Sequence, residues 1–185
     1  MFVCHLNTAD PLIDLVAPNI SRDAPLAVRW LAGSQGRETL RMMGIPEGEI
    51  RSASLDEERA RVAGFMKRQD QFNWMIEFKG GVVGAIWVDL RPSPVLLAPA
   101  VSYMIGDLQA RRKGVARASL DAVVQFLSRR GFASLYARTL VINSKSAALL
   151  TGAGFAVRGE PYLDPDDGQR WRNFVLRLQG LDDDE

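Results

Sequence analysis

The residues with the most chemical content are Gln109-Ala110-Arg111-Arg112-Lys113-Gly114-Val115-Ala116. A strand predicted over Ala100–Ile105 runs into them, and an amphipathic helix runs out. Three cations and a glycine therefore stand where a helix begins. A helix N-terminus presents unpaired backbone N–H groups and the positive end of the macrodipole. Gly114 lets an anion approach the backbone, and Val115 and Ala116 keep the approach open. Such a strand, basic turn and helix can hold a phosphate or pyrophosphate. The plainer reading is an ordinary basic turn, but cations at this end oppose the helix dipole.

A second set follows at a distance that fits one helix plus one strand. Asn143-x-x-Ser146 precedes Leu149-Leu150, then Gly154-Phe155, with Gly159 four residues beyond the phenylalanine. Asparagine is a common helix N-cap, and a helix serine commonly bonds a backbone carbonyl.

Together the two sets resemble a family. Arg111-x-x-Gly114-x-Ala116 is similar to the pyrophosphate loop Gln/Arg-x-x-Gly-x-Gly/Ala of the GCN5-related N-acetyltransferases. The Asn143 to Gly159 pattern resembles that family's second region, in particular the branch with the ribosomal-protein N-terminal acetyltransferases. The resemblance covers about residues 71–178. It implies an α/β fold with a mixed, mostly antiparallel central sheet flanked by helices. It also implies acetyl-CoA as cofactor and an amine as acceptor: a protein N-terminus, a small amine or an antibiotic.

The resemblance carries site residues with it. Backbone N–H groups of Arg112, Lys113, Gly114, Val115 and Ala116 would hold the phosphates, and the Arg111, Arg112 and Lys113 side chains would add charge. The strand through Met104 and Ile105 would splay from the next strand, and an N–H there would face the thioester oxygen. Asn143 would contact the pantetheine arm, and Ser146 would protonate the leaving thiolate. Many family members carry a tyrosine at the place of Leu150 as general acid, and leucine cannot donate a proton. Glu160, just past Gly159, is the candidate base, with Asp89 and Glu77 behind it. A solvated carboxylate is the plainer reading of all three. Trp30, Tyr162 and Asp164 fall where the fold builds its acceptor site. Two rivals remain: a non-catalytic acyl-CoA-binding module, and an interaction domain whose basic turn binds a phosphate or acidic peptide.

Length and composition bound these readings. A chain of 185 residues with 47% hydrophobic content forms one domain with a full core. We divide it into acceptor-side helices over 1–70, a cofactor-binding core over 71–178 and an acidic tail over 179–185. The net charge of +1 gives no reason to expect nucleic acid. The single cysteine, Cys4, excludes an internal disulfide and fits a reducing compartment. Residues 1–9 lack a signal pattern and no apolar run reaches the length of a membrane span, so the expectation is a cytoplasmic chain without membrane contact. A homodimer is left open. The histidine, His5, falls in an N-terminus expected to fray.

The elements that must position these residues follow from pattern. Leu12–Ala17 reads as a strand ended by Pro18-Asn19. Asp23 caps a helix with Pro25 in its first turn, broken by Gly33 and Gly36. Gln35–Met43 forms a second helix. Ser54 with Glu57 makes a capping box for a helix over Leu55–Arg68, with Val62, Phe65 and Met66 inward. Phe72–Phe78 alternates as a strand, Gly80-Gly81 turns, and Val82–Leu90 returns. A proline-rich loop precedes Ala100–Ile105. A helix to Arg130, a strand over Phe132–Leu140, a helix over Ser144–Ala153, and strands over Phe155–Arg158 and Trp171–Leu178 complete the order.

Overall fold

The computed structural model describes residues 5–178. Cys4 and the acidic tail lie outside the described residues. Eight strands form one sheet: β1 (His5–Asn7), β2 (Ile13–Val16), β3 (Gln71–Phe78), β4 (Gly81–Asp89), β5 (Ala100–Ile105), β6 (Ser134–Leu140), β7 (Ala156–Leu163) and β8 (Arg170–Arg177). Their spatial order is β1-β2-β3-β4-β5-β6-β8-β7. Every pairing is antiparallel except β5 with β6. Among the described residues, five α-helices complete the fold: α1 (Ile20–Trp30), α2 (Gly33–Met42), α3 (Leu55–Lys67), α4 (Val115–Ser128) and α5 (Ser144–Gly152).

Helices cover both faces of the sheet. On one, Leu120, Val123 and Leu127 of α4 and Leu150 of α5 pack with Trp74, Ile76, Ile86, Val88 and Val101. The period of 3.6 in α4 and the alternation of β3 place these residues on facing surfaces. On the other face, Leu26 and Trp30 of α1 pack on Met75, Val82 and Ala85.

Several local readings hold in detail. The Ser54–Glu57 capping box is formed in both directions. The helix it starts turns Val62 inward, but Met66 is exposed; Glu58 takes its place on the buried face. The hairpin turn sits one residue earlier than expected. Phe78 pairs with Gly81, so the two turn residues are Lys79 and Gly80, with φ of 55° and 78°. The N-cap of helix α1 lies four residues before the expected Asp23. Asn19 is the N-cap and accepts the Arg22 N–H at 3.0 Å. The fully buried Asp23 carboxylate accepts the N–H of Asn19 at 2.6 Å and Nε of Arg22 at 2.5 Å. Gly36, expected to break a helix, lies inside α2, where a Cβ would meet the Leu31 carbonyl carbon at 2.1 Å. His5 does not fray: it pairs with Val16 in β1, and its Nε2 lies 3.3 Å from the Asp14 carboxylate.

Candidate active site

The site begins with a parting of two strands. Strand β6 bridges β5 at one place, Ala100 with Tyr136, where the Tyr136 N–H donates to the Pro99 carbonyl at 2.8 Å. Beyond it β6 follows β8 for its whole length, while β5 stays with β4. The N–H of Gly106 donates to the Val83 carbonyl at 2.9 Å. An antiparallel ladder alternates bonded and non-bonded pairs. Met104 therefore bonds Ala85, and Tyr103 and Ile105 turn their main-chain groups toward the gap. Of the two N–H groups expected at the thioester, the ladder takes that of Met104 and leaves that of Ile105. Gly84 permits this arrangement: a Cβ there would stand 2.2 Å from the Met104 carbonyl oxygen.

The basic turn lies at the open end of the gap. Residues Leu108–Ala110 form one 3-10 turn, capped by Asp107, whose carboxylate accepts the Gln109 N–H at 2.8 Å. Arg111 then points inward. Its Nε donates to the Ile105 carbonyl at 2.9 Å, and its Nη2 to Thr39 Oγ1 of α2 at 2.9 Å. Burial pushes this guanidinium below the usual arginine range. Arg111 thus joins the end of β5 to α2 rather than lying open to an anion.

Arg112 and Gly114 both take left-handed backbone, with φ of 61° and 78°. These two turns redirect the chain so that α4 starts at Val115, itself buried in the core. Arg112, Lys113 and Gly114 are exposed. The Gly114 carbonyl accepts from Ala118, so the N–H groups of Val115, Ala116 and Arg117 precede the helical ladder. A Cβ on Gly114 would meet nothing within 4 Å. The first turn of α4 holds no acidic residue to balance its dipole. Arg117 closes the far wall: it binds Asp121 at 2.8 Å and the Gly152 carbonyl of α5 at 2.5 Å.

Helix α5 supplies the hydroxyl chemistry. Asn143 caps it by accepting the Ser146 N–H at 3.1 Å, and its Nδ2 donates to the Met42 carbonyl at the end of α2 at 3.1 Å. Both ends of this side chain are thus engaged within the protein. Ser146 Oγ stands 2.8 Å from the hydroxyl of Tyr103. Burial pushes the Tyr103 phenol above its ordinary range, and the bond to Ser146 offsets part of that rise. Sequence reasoning missed Tyr103. Its place on β5, on the same face as Ile105, was legible, but the packing of α5 over that strand was not. Leu150 is sealed in the core with 1% exposure.

The other face of the gap holds the residues that the sequence reading assigns to the acceptor site. Trp30 lies against Gly106, where a Cβ would approach the indole to 2.3 Å. Arg138 of β6 bonds Asp164 at 2.6 Å and stacks on Trp171 at 4.1 Å. Asp164 is almost fully buried, and the Arg138 guanidinium holds its carboxyl below the usual range. The Tyr162 hydroxyl donates to Asn173 Oδ1 at 3.2 Å. Gln169 donates to the Gly44 carbonyl at 2.7 Å, tying the β7–β8 turn to the chain after α2. Glu160 is not brought to this place. It is exposed in the bulge between Arg158 and Tyr162, on the outer strand, with β8 between it and β6. Asp89 is engaged by the Gln71 amide, and Glu77 lies on β3, two strands from β5. Among the described residues, no cluster of acidic, histidine or cysteine side chains could hold a metal ion, and no helix is long and apolar enough to cross a membrane.

Comparison with known proteins agrees with this geometry. Over residues 15–156 the chain matches the family model of the acetyltransferase (GNAT) domain. It is 27% identical over 100 residues to N-acetyltransferase family 8 member 7 of Mus musculus, across 53% of this chain and 44% of that protein. The matches to such curated relatives span less than half of each relative's length. In fold it is similar to RimL, the ribosomal L7/L12 alpha-N-protein acetyltransferase in complex with coenzyme A. The TM-score is 0.75 at 15% identity, over 95% of this chain and 99% of that one. It is also similar to spermidine N-acetyltransferase from Vibrio cholerae in complex with CoA and spermine, with a TM-score of 0.72 at 13% identity, over 91% and 97% of the two chains. With the parted strands, the basic turn and a family match over most of its length, the chain belongs to the GNAT family of acetyltransferases.

Proposed function

We propose that the chain transfers an acetyl group from acetyl-CoA to a primary amine by direct attack in a ternary complex. The observation that carries this reading is the gap between β5 and β6, which opens beside the N-terminus of α4 and is bordered by the Tyr103–Ser146 hydroxyl pair.

The residues present fit the donor substrate. The open space over Gly114, the left-handed turns and the unladdered N–H groups of Val115 and Ala116 suit a pyrophosphate. Arg112 and Lys113 add charge there, while Arg111 fixes the turn. The main-chain edge of Tyr103 and Ile105 suits the amide-bearing arm, with the Ile105 N–H serving the carbonyl oxygen. When bound, acetyl-CoA supplies an activated acyl group on a thiol leaving group. Ser146 is the proton donor to that group, and Asn143 orders the turn that holds Ser146. The acceptor enters from the face of Trp30, Arg138, Tyr162 and Trp171. Its amine deprotonates through water, since Glu160 is exposed in the bulge of the outer strand.

The likeness to a ribosomal-protein N-terminal acetyltransferase tilts the acceptor toward a peptide α-amine. The neutral Arg138–Asp164 pair agrees, because it offers no unbalanced carboxylate to a polyamine. The test is acetylation of a panel holding a peptide with an open N-terminus, spermidine and an aminoglycoside. Preferential turnover of the peptide supports the reading. Binding of acetyl-CoA without turnover of any amine returns the chain to a non-catalytic acyl-CoA module, as the leucine at position 150 would suggest.

A further inference from the structure

Position 150 holds no hydroxyl, yet the gap contains two within 2.8 Å of each other. Resting on the acetyl-transfer reading, we infer that Tyr103 is a positioning and proton-relay residue that acts through Ser146, so that strand β5 provides the phenol α5 lacks.

The argument is a count of protons. Two hydroxyls carry two protons, and one hydrogen bond between them uses one. Among the described residues neither oxygen has another hydrogen bond of its own. When the Tyr103 O–H donates to Ser146 Oγ, the Ser146 O–H keeps its proton for a third group. The arrangement also fixes which way it points, because a serine hydroxyl otherwise rotates or back-bonds to a helix carbonyl. The main-chain groups of Tyr103 and Ile105 face the gap by strand alternation, and the Tyr103–Ser146 pair borders the space where the donor's sulfur would lie. Burial favours the neutral phenol and keeps the relay loaded at neutral pH. Besides that burial, Ser146 is the group that acts on the Tyr103 phenol. The nearest charged residues along the chain are Asp107, which caps the 3-10 turn, and Arg111, engaged on the Ile105 carbonyl; on α5, Lys145 adjoins Ser146.

The step balances. The acceptor nitrogen forms its bond to the acetyl carbon and gives up one proton to solvent. The C–S bond breaks and its electron pair goes to sulfur. Sulfur takes the Ser146 proton, Ser146 Oγ takes the Tyr103 proton, and Tyr103 regains one proton from solvent. The products are the acetylated amine and the thiol.

The test compares Tyr103→Phe, Ser146→Ala, Ser146→Thr and the Tyr103→Phe/Ser146→Ala double variant. Acetyl-CoA affinity is read by calorimetry, fold by thermal unfolding and turnover on the best amine. Loss of general acid catalysis should lower kcat about 100-fold. Tyr103→Phe and Ser146→Ala should both show this, with acetyl-CoA Kd within twofold of the wild type. The double variant should be no worse than either single one, and Ser146→Thr should retain most of the rate. Fluorotyrosine at position 103, whose phenol is more acidic, should move the alkaline limb of the kcat profile downward. Its fluorine resonance should shift on Ser146→Ala and on addition of coenzyme A. Unchanged kcat in Tyr103→Phe, or an unmoved limb, overturns the relay while the acetyltransferase reading stands. A wild-type chain that turns over no amine overturns both.

Discussion

Replacing Gly114 by alanine separates two jobs of one residue. Its φ is 78°, and a Cβ there meets nothing within 4 Å. The fold therefore loses only the cost of placing an L-residue in left-handed backbone, about 1–2 kcal/mol. For a domain of this size each kcal/mol lowers Tm by roughly 2–4 °C, so Tm should fall by about 2–8 °C. The open space is where the pyrophosphate is proposed to lie, so the same methyl group should weaken acetyl-CoA at least about tenfold, or 1.4 kcal/mol. Gly80 is a matched control, with the same φ and nothing within 4 Å, but in the β3–β4 hairpin. Gly80→Ala should lower Tm by a similar amount and leave the affinity alone. Calorimetry and thermal unfolding on the two variants read both effects. Affinity that survives Gly114→Ala within twofold, or falls equally in Gly80→Ala, refutes the account of the turn.

Other substitutions test the supports. Gly84→Ala should destabilise the fold by about 1–3 kcal/mol through its contact with the Met104 carbonyl, and weaken acetyl-CoA by displacing β5; thermal unfolding and calorimetry read the two. Arg111→Lys should not rescue Arg111→Ala in thermal stability, because one ammonium cannot reproduce the fork to Ile105 and Thr39. Arg138→Ala leaves Asp164 buried and unpaired, and should cost about 3 kcal/mol in denaturant unfolding at neutral pH. The folded Asp164 pKa lies below its ordinary 3.8, so its contribution is present above that value and lost as pH falls through the lower one. The gap between wild type and Arg138→Ala should therefore narrow on acidification. Asn143→Ala removes the α5 cap and should cost about 1 kcal/mol by thermal unfolding.

Much of this architecture was legible in the chain. The alternation of Phe72 to Phe78, the Ser54–Glu57 box and the periodic face of α4 each report local physics, and each forms as read. What failed was local punctuation with two meanings. Pro18-Asn19 ends a strand and also begins a helix, and only the second meaning sets the start of α1. Gly36 looks like a breaker but serves close packing on Leu31. At the site, the turn and the Asn143–Ser146 helix were visible as motifs. The inward turn of Arg111, the pairing of Tyr103 with Ser146 and the outer-strand place of Glu160 were not. Each depends on residues far apart in the chain, and a register fixed by β8 lying between β6 and β7.

The central claim is that the gap beside Gly114 holds acetyl-CoA. Isothermal titration of the purified chain with acetyl-CoA, with free phosphate as control, tests it most directly. The account predicts micromolar, one-to-one binding that phosphate does not reproduce. Absence of binding, or equal binding of phosphate, would contradict it and leave the basic turn as a simple anion site.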